Sequence, residues 1–267
     1  MLKISSRDNE KIKFARKVRD GSVDNLIFVE GSRLAEESLR SALKISDVFF
    51  TEDYARTERG EKFLRTVETS NLAEVSGKVF DSLTDTKNSQ GIIVIGEKPA
   101  ANRAIIEAKS SEVSKIPLFV LLHQINNPAN LGAILRTCEA VNVSGVIITK
   151  NSADVFSPKA LRGAMGASFR LALWTNADFF EVLTWAKEKS LISVCADINA
   201  ERSYLEIDWK KPRLLIFGSE AHGLSASEKA EINESLLIPM GNEVESLNLA
   251  VACGVILFEA KRQIEKK

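Results

Sequence analysis

Leu214–Leu224 reads LLIFGSEAHGL. Four consecutive apolar residues run straight into a loop in which two glycines bracket a glutamate. A strand that is apolar at every position has both faces covered, the usual state of strands in a parallel α/β sheet. The same pattern recurs on either side. Leu118–Leu122, Val146–Thr149, Leu171–Trp174, Ile192–Ala196 and Leu236–Ile238 are short apolar runs separated by stretches of helical patterning. This alternation predicts an α/β domain over residues 116–267, a mostly parallel, doubly wound sheet flanked by helices.

Upstream the pattern is looser. Asp8–Arg19 has helical charge density with a partial apolar face at Ile12, Phe14, Ala15 and Val18. Leu26–Glu30 (LIFVE) reads as a strand, and Gly31 and Ser32 lead into a helix through Leu43. Val48–Thr51 is a second strand, Glu61–Thr69 a polar helix and Ile92–Ile95 a buried strand. Residues 1–98 are therefore read as a smaller α/β domain, and 99–115 as a linker, helical in its middle.

Lys and Arg number 36, as do Asp and Glu, so the net charge of the 267-residue chain is zero. That balance excludes a basic tail protein and an acidic solvating one, but local patches still matter for a nucleic-acid partner. Residues 1–20 carry seven Lys or Arg against three acids, and residues 150–173 carry Lys150, Lys159, Arg162 and Arg170 against Asp154 alone. Phosphate contacts are expected there, with Arg7, Lys13, Arg16, Lys159 and Arg162 the chosen residues and Arg162 foremost; RNA affinity should then fall steeply with salt. For any single lysine the competing reading is a solvated helix face.

No apolar run approaches the ~18 residues of a membrane span, and the N-terminus lacks the apolar core of a secretory signal. Cys138, Cys195 and Cys253 lie far apart, and only His123 and His222 accompany them, so neither a disulfide framework nor a zinc site is expected. A reducing, cytoplasmic setting without membrane or metal follows. Both histidines are read as structural or surface residues.

Between residues 249 and 258 every position except Gly254 is apolar, which wraps most of the circumference of a helix. A helix lying on one sheet needs only a stripe. Its second face is expected to meet a twofold-related copy, giving a homodimer through the C-terminal domain.

Three polar clusters follow apolar strands, where ligands of parallel α/β sheets gather. In Asn126–Arg136 (NNPANLGAILR), Gly132 sits in the first helical turn and Arg136 lies one turn later on the same face. Such an arginine suits a phosphate or a ribose hydroxyl, or is merely solvated. In Phe217–Leu224, Glu220 stands between Gly218 and Gly223. In Ile238–Asn248 (IPMGNEVESLN), an irregular loop opens the final helix, whose start leaves free N–H groups for a site. The plainer reading is an ordinary N-cap at Ser246, and both roles are compatible. Nucleotide-binding, zinc-protease and serine-hydrolase motifs are missing from the sequence.

Together these clusters resemble the SpoU (TrmH-like) family of RNA ribose 2′-O-methyltransferases within the SPOUT superfamily. The resemblance rests on Asn130-x-Gly132-x-x-x-Arg136, on Gly218 to Leu224, and on Ile238 to Asn248, in that order, and spans about 117–262. The FVEGSRLAEESL stretch resembles, more loosely, the family's substrate-binding domain. The resemblance implies a C-terminal trefoil knot, S-adenosylmethionine held bent in the knot loops, a dimer, and an RNA substrate. It favours rRNA, with tRNA the alternative. It assigns Gly218, Ile238, Met240 and Leu247 to the cofactor, and Asn130, Arg136, Glu220, Ser246 and Asn248 to catalysis or site shaping. One departure stands out: many members have glycine two residues after the methionine of IPM, where this chain has Asn242.

Arginine stays protonated in proteins, so Arg136 is expected to stabilise charge on the ribose oxygen or clamp a phosphate, not to act as base. Glu220 is expected to organise the loops through backbone N–H groups. Two rivals are a nucleotide-binding protein using FGSEAHGL as a phosphate loop and a knotted RNA-binding module without catalysis.

Overall fold

The computed structural model describes residues 2–69, 71–84, 86, 89–113, 116–242 and 244–266. By internal packing the chain divides into two units, 1–99 with 154–170 and 100–153 with 171–267. The expected linker's last two residues, 114 and 115, lie outside the described residues.

In the first unit β1 (Leu2–Ile4), β2 (Leu26–Glu30), β3 (Ile45–Phe50), β4 (Leu72–Val75) and β5 (Ile92–Glu97) form one sheet in the order β1-β4-β3-β5-β2. β4 lies parallel to β1 and β3, while β5 runs antiparallel to β2 and β3. Helices α1 (Glu10–Arg19), α2 (Ser32–Arg40), α3 (Glu52–Ala55), α4 (Glu58–Thr66) and α5 (Gly77–Phe80) connect the strands. Asn9 caps α1 by accepting from Lys11 N, and the helix buries Ile12, Ala15 and Val18 against Phe28, Phe49 and Ile93. The sequence reading misses β1 and β4, which are only three and four residues long and mix apolar with charged positions. Such runs are fixed by pairing, not by periodicity. Segment 154–170, with α8 (Pro158–Ala164) and α9 (Ala167–Arg170), packs in this unit: Arg162 meets the buried Glu30 at 3.4 Å and Arg170 meets Glu37 at 2.5 Å.

In the second unit β6 (Leu118–Leu122), β7 (Gly145–Thr149), β8 (Leu173–Ala177), β9 (Ile192–Ala196), β10 (Arg213–Phe217) and β11 (Glu234–Leu236) form a fully parallel sheet in the order β11-β9-β10-β6-β7-β8. The helices are α6 (Arg103–Val113), α7 (Pro128–Val141), α10 (Phe179–Glu188), α11 (Ala226–Ala230) and α12 (Leu249–Glu265). Trp185 of α10 stands edge-on to Phe119 and Trp174 over Leu121, Ile147 and Ile216. β6, β7 and β10 are buried at every residue, as continuous apolar runs require.

Two strands are displaced from their expected positions. β8 starts two residues later than the apolar run LALW because its register is set by Val146↔Leu173. β11 ends at Leu236, where its pairing with Ala196 of β9 stops, and Leu237 and Ile238 line a cavity instead. Being parallel, β6, β9, β10 and β11 end at one edge of the sheet. The loops that follow them meet there.

Candidate functional site

The loop after β10 is built around a close backbone approach. A Cβ on Gly218 would lie 2.4 Å from the carbonyl carbon of Gly223, a distance no side chain tolerates. Ser219 and Gly223 exchange backbone hydrogen bonds at 3.2 and 2.9 Å, and Gly223 takes φ +63°. The glycines thus close a small hairpin that carries Glu220 at its tip.

Asn130, in the first turn of α7, donates Nδ2–H to Glu220 Oε1 at 2.6 Å. Asn248 donates Nδ2–H to Asn130 Oδ1 at 3.2 Å. The same Asn248 is the N-cap of α12, its Oδ1 accepting from Ala250 N and Val251 N at 2.9 and 3.4 Å. The cap fixes the polarity of the chain. With Oδ1 committed to the helix, Asn248 faces Asn130 with its amide N–H. Asn130 must then offer its carbonyl to Asn248 and its N–H to the carboxylate. Two expectations are corrected here. The cap of the last helix is Asn248 and not Ser246, because the helix begins at Leu249 and only Asn248 stands one residue before it. Glu220 ties the loops together through the Asn130 side chain, and not through backbone N–H groups, while the N–H groups of Ser219, His222 and Gly223 in its hairpin are turned onto Gly223 O, Ser219 Oγ and Ser219 O.

The third loop carries the departure noted in the sequence. Asn242 adopts φ +57°, the left-handed region that favours glycine and that asparagine tolerates better than most residues. Asparagine here keeps the backbone conformation that a glycine would provide.

These loops surround a cavity of about 840 Å³. Asn130, Gly218, Glu220, Ile238, Met240, Ser246, Leu247 and Asn248, eight of the nine residues expected at the cofactor and catalytic site, all line it. The ninth, Arg136, does not. It is exposed on α7, on the face that carries Ala129, Ala133 and Ala140, and is not among the residues that line the cavity within one chain. Helix geometry explains this: the first turn of α7, with Asn130, reaches the cavity, while Arg136 lies nearly two turns on.

The loop after β9 supplies a wall that sequence reasoning missed, since CADINAE carries no motif. Asp197 pairs with Lys229 of α11, and its Oδ1 accepts from Asn199 N at 3.0 Å. Burial pushes the Asp197 carboxyl up, but the Lys229 ammonium and the Asn199 N–H outweigh it and hold it below the usual carboxylate range. α11 is anchored in turn. Glu228 closes a capping box with Ser225 and meets Nε2 of the buried His123 at 3.0 Å. Burial lowers the His123 pKa despite Glu228, and Nδ1 of the ring lies 3.2 Å from Thr149 Oγ1.

The residues expected to contact RNA belong to the first unit, and four of the five, Arg7, Lys13, Arg16 and Arg162, carry partners within it. Arg7 donates to Lys78 O, Arg16 to Ser82 Oγ, Lys13 pairs with Glu10, and Arg162 pairs with Glu30. Lys159 is exposed on α8. Among the described residues no group of three or more His, Cys, Asp or Glu is placed to hold a metal ion, and no helix is long and apolar enough to cross a membrane.

Comparison with known proteins bears on the same segment. The model of the SpoU rRNA Methylase family matches residues 117–258, more than half of the chain. The chain belongs to that family. The MRM3-like substrate binding domain matches residues 9–94 of this SpoU protein. A tRNA/rRNA methyltransferase of Synechocystis is 34% identical over 189 residues, covering 71% of this chain and 66% of that protein, so the chain spans just under two thirds of that relative's length. The 23S rRNA (guanosine(2553)-2′-O)-methyltransferase RlmP of Bacillus subtilis is 25% identical over 266 residues, covering 98% of this chain and 100% of its own. An AdoMet-bound rRNA methyltransferase from Sinorhizobium meliloti superposes with a TM-score of 0.84 at 26% identity, covering 99% of this chain and 98% of that one.

Proposed function

We propose that this chain transfers a methyl group from S-adenosylmethionine to a ribose 2′-hydroxyl of RNA, with rRNA as its substrate. The observation that carries this reading is the hydrogen-bonded chain Asn248–Asn130–Glu220, which ties all three motifs to one cavity. The cavity fits the cofactor. Its volume of about 840 Å³ lies in the range of small-molecule sites, and its walls mix apolar side chains with loop backbone at Gly218, Ile238 and Leu247. A side chain at Gly218 would collide with its own loop.

When bound, S-adenosylmethionine supplies a methyl group that is already activated. The residues of the chain are left with the nucleophile, a weakly acidic ribose hydroxyl that must be aligned and made alkoxide-like. Asn130, Ser246 and Asn248 line the cavity with polar groups and hold the acceptor ribose in line, an alignment worth up to ~7–11 kcal/mol of a barrier. Glu220 fixes Asn130. Arg136 stabilises negative charge on the ribose oxygen or its phosphate, and the proton leaves through phosphate, water or Ser246.

Arg136 does this from a second copy. α12 exposes Val251 and Phe258, more than half accessible, and α7, packed against it, exposes Arg136. An apolar face of this kind favours a twofold homodimer, which would carry Arg136 of one protomer to the cavity of the other. The return of the chain from β11 at the sheet edge to Asn248 beside Asn130 supports a trefoil-knotted path for the C-terminal segment. Domain 1–98, together with segment 154–170, holds the RNA, with Arg7, Lys13, Arg16, Lys159 and Arg162 as phosphate contacts, and the protein works in the cytoplasm on ribosomal RNA. Incubating the protein with total RNA and methyl-labelled cofactor tests the proposal. Label in large rRNA supports it, label confined to tRNA moves the substrate to tRNA, and no label in any RNA removes the enzymatic reading.

A further inference from the structure

We propose that Asp197 accepts hydrogen bonds from the ribose hydroxyls of the methyl donor's adenosine, with Lys229 holding its carboxylate in place. The inference rests on the reading of the cavity as a methyl-donor site. On that reading Asn130, Glu220, Ser246 and Asn248 are given to the acceptor ribose, two of them joined to Asn130 by hydrogen bonds. The charged side chains that line the cavity are those of Asp197, Glu220, Lys229 and Glu245, and of these Asp197 and Lys229 form an ion pair between the loop after β9 and α11.

Position favours the carboxylate for this task. Asp197 directly follows β9, whose neighbour β10 ends at Phe217, one residue before Gly218, so an acidic side chain stands beside a glycine turn at the carboxyl edge of a parallel sheet. That is a general arrangement for holding a nucleoside sugar. Lone-pair counting allows it. A carboxylate offers about four acceptor positions. Oδ1 of Asp197 takes Asn199 N–H at 3.0 Å, Oδ2 takes Lys229 Nζ, and the Asn199 side chain also donates to the carboxylate, which leaves room for an O–H of a vicinal diol.

The pair is set before any ligand arrives. Asp197 N donates to Leu236 O at 2.9 Å, locking the start of the loop. Lys229 sits on a helix held by Ser225 and by the Glu228–His123 contact. Asp197 is only 13% exposed, so its hydrogen bonds are screened little by solvent.

Calorimetric titration of the full chain tests this with three probes: S-adenosylhomocysteine, 5′-methylthioadenosine and the 2′,3′-dideoxy form of the latter. Wild-type protein should bind the dideoxy nucleoside ~10–100-fold more weakly than methylthioadenosine, as expected for lost hydrogen bonds to a charged group. Asp197→Asn should weaken methylthioadenosine strongly and shrink the difference between the two nucleosides. Equal binding of both nucleosides by the wild type overturns the proposal. So does an Asp197→Asn protein that loses affinity for S-adenosylhomocysteine alone, which would place the amino-acid tail at this pair. If Asp197→Asn fails to unfold cooperatively, the wild-type comparison decides by itself. If wild-type protein binds none of the three probes, the methyl-donor reading falls, and the inference with it.

Discussion

Asn248 donates its side-chain amide to Asn130 across 118 residues of sequence, at 3.2 Å, while its carbonyl caps α12. One residue therefore links the start of the last helix to the Asn130–Glu220 pair. A helix cap is directional, and it dictates which way each amide in the network points. Glu220 receives its hydrogen bond from Asn130 as a consequence.

The double duty of Asn248 can be separated. Asn248→Asp keeps a cap acceptor and adds charge favourable to a helix N-terminus, but sets a carboxylate against Asn130 Oδ1. Stability should stay within ~0.5 kcal/mol of wild type, while methyl transfer should fall ~10–100-fold. Asn248→Ala should lose both, with ~1 kcal/mol less stability. Thermal unfolding and single-turnover rates distinguish them, and an Asp variant with normal turnover would show that the link to Asn130 is idle.

In the proposed function Glu220 orients Asn130, from which its Oε1 accepts a hydrogen bond, and does not accept the reaction proton. Glu220→Gln should weaken cofactor binding and leave the pH–rate profile unchanged in shape. Loss of the acidic limb in the variant would instead make Glu220 the proton acceptor.

Gly218→Ala forces a methyl group to within 2.4 Å of the Gly223 backbone. The hairpin must open, at a cost of ~1–3 kcal/mol typical of overpacking. Cofactor affinity should drop with it, and titration calorimetry on the folded variant measures the drop.

A protomer that borrows Arg136 from its partner makes two linked predictions. Phe258→Asp should give a monomer by light scattering and abolish methyl transfer, because Phe258 is 55% exposed on α12. Arg136→Ala should bind cofactor normally but be inactive. Mixed with an equally inactive Glu220→Ala protein, it should recover about a quarter of wild-type activity through hybrid dimers with one intact site. A mixture that recovers nothing would place Arg136 in its own protomer's site.

The central strands were readable in the sequence because their physics is local. Leu118–Leu122 and Ile192–Ala196 are strands at the positions their apolar runs predict, and Leu214–Phe217 gains only Arg213. Where tertiary pairing decides, the sequence is silent. Leu72–Val75 alternates too briefly to show a period, and Leu237 and Ile238 look like strand because a cavity wall needs apolar residues as much as a sheet does. The motifs showed which residues gather at the cavity. They did not show that Asn248 is the helix cap, that Asp197 and Lys229 form a wall, or that segment 154–170 packs with the first unit. Each of those depends on contacts between distant positions, which no single window of sequence contains.

The central claim concerns a ribose oxygen, and alkaline hydrolysis of methyl-labelled RNA product tests it most directly. A methylated 2′-oxygen cannot attack the adjacent phosphate, so the account predicts label in alkali-stable dinucleotides. Label released in mononucleotides would mean that the methyl group had gone to a base, and would contradict it.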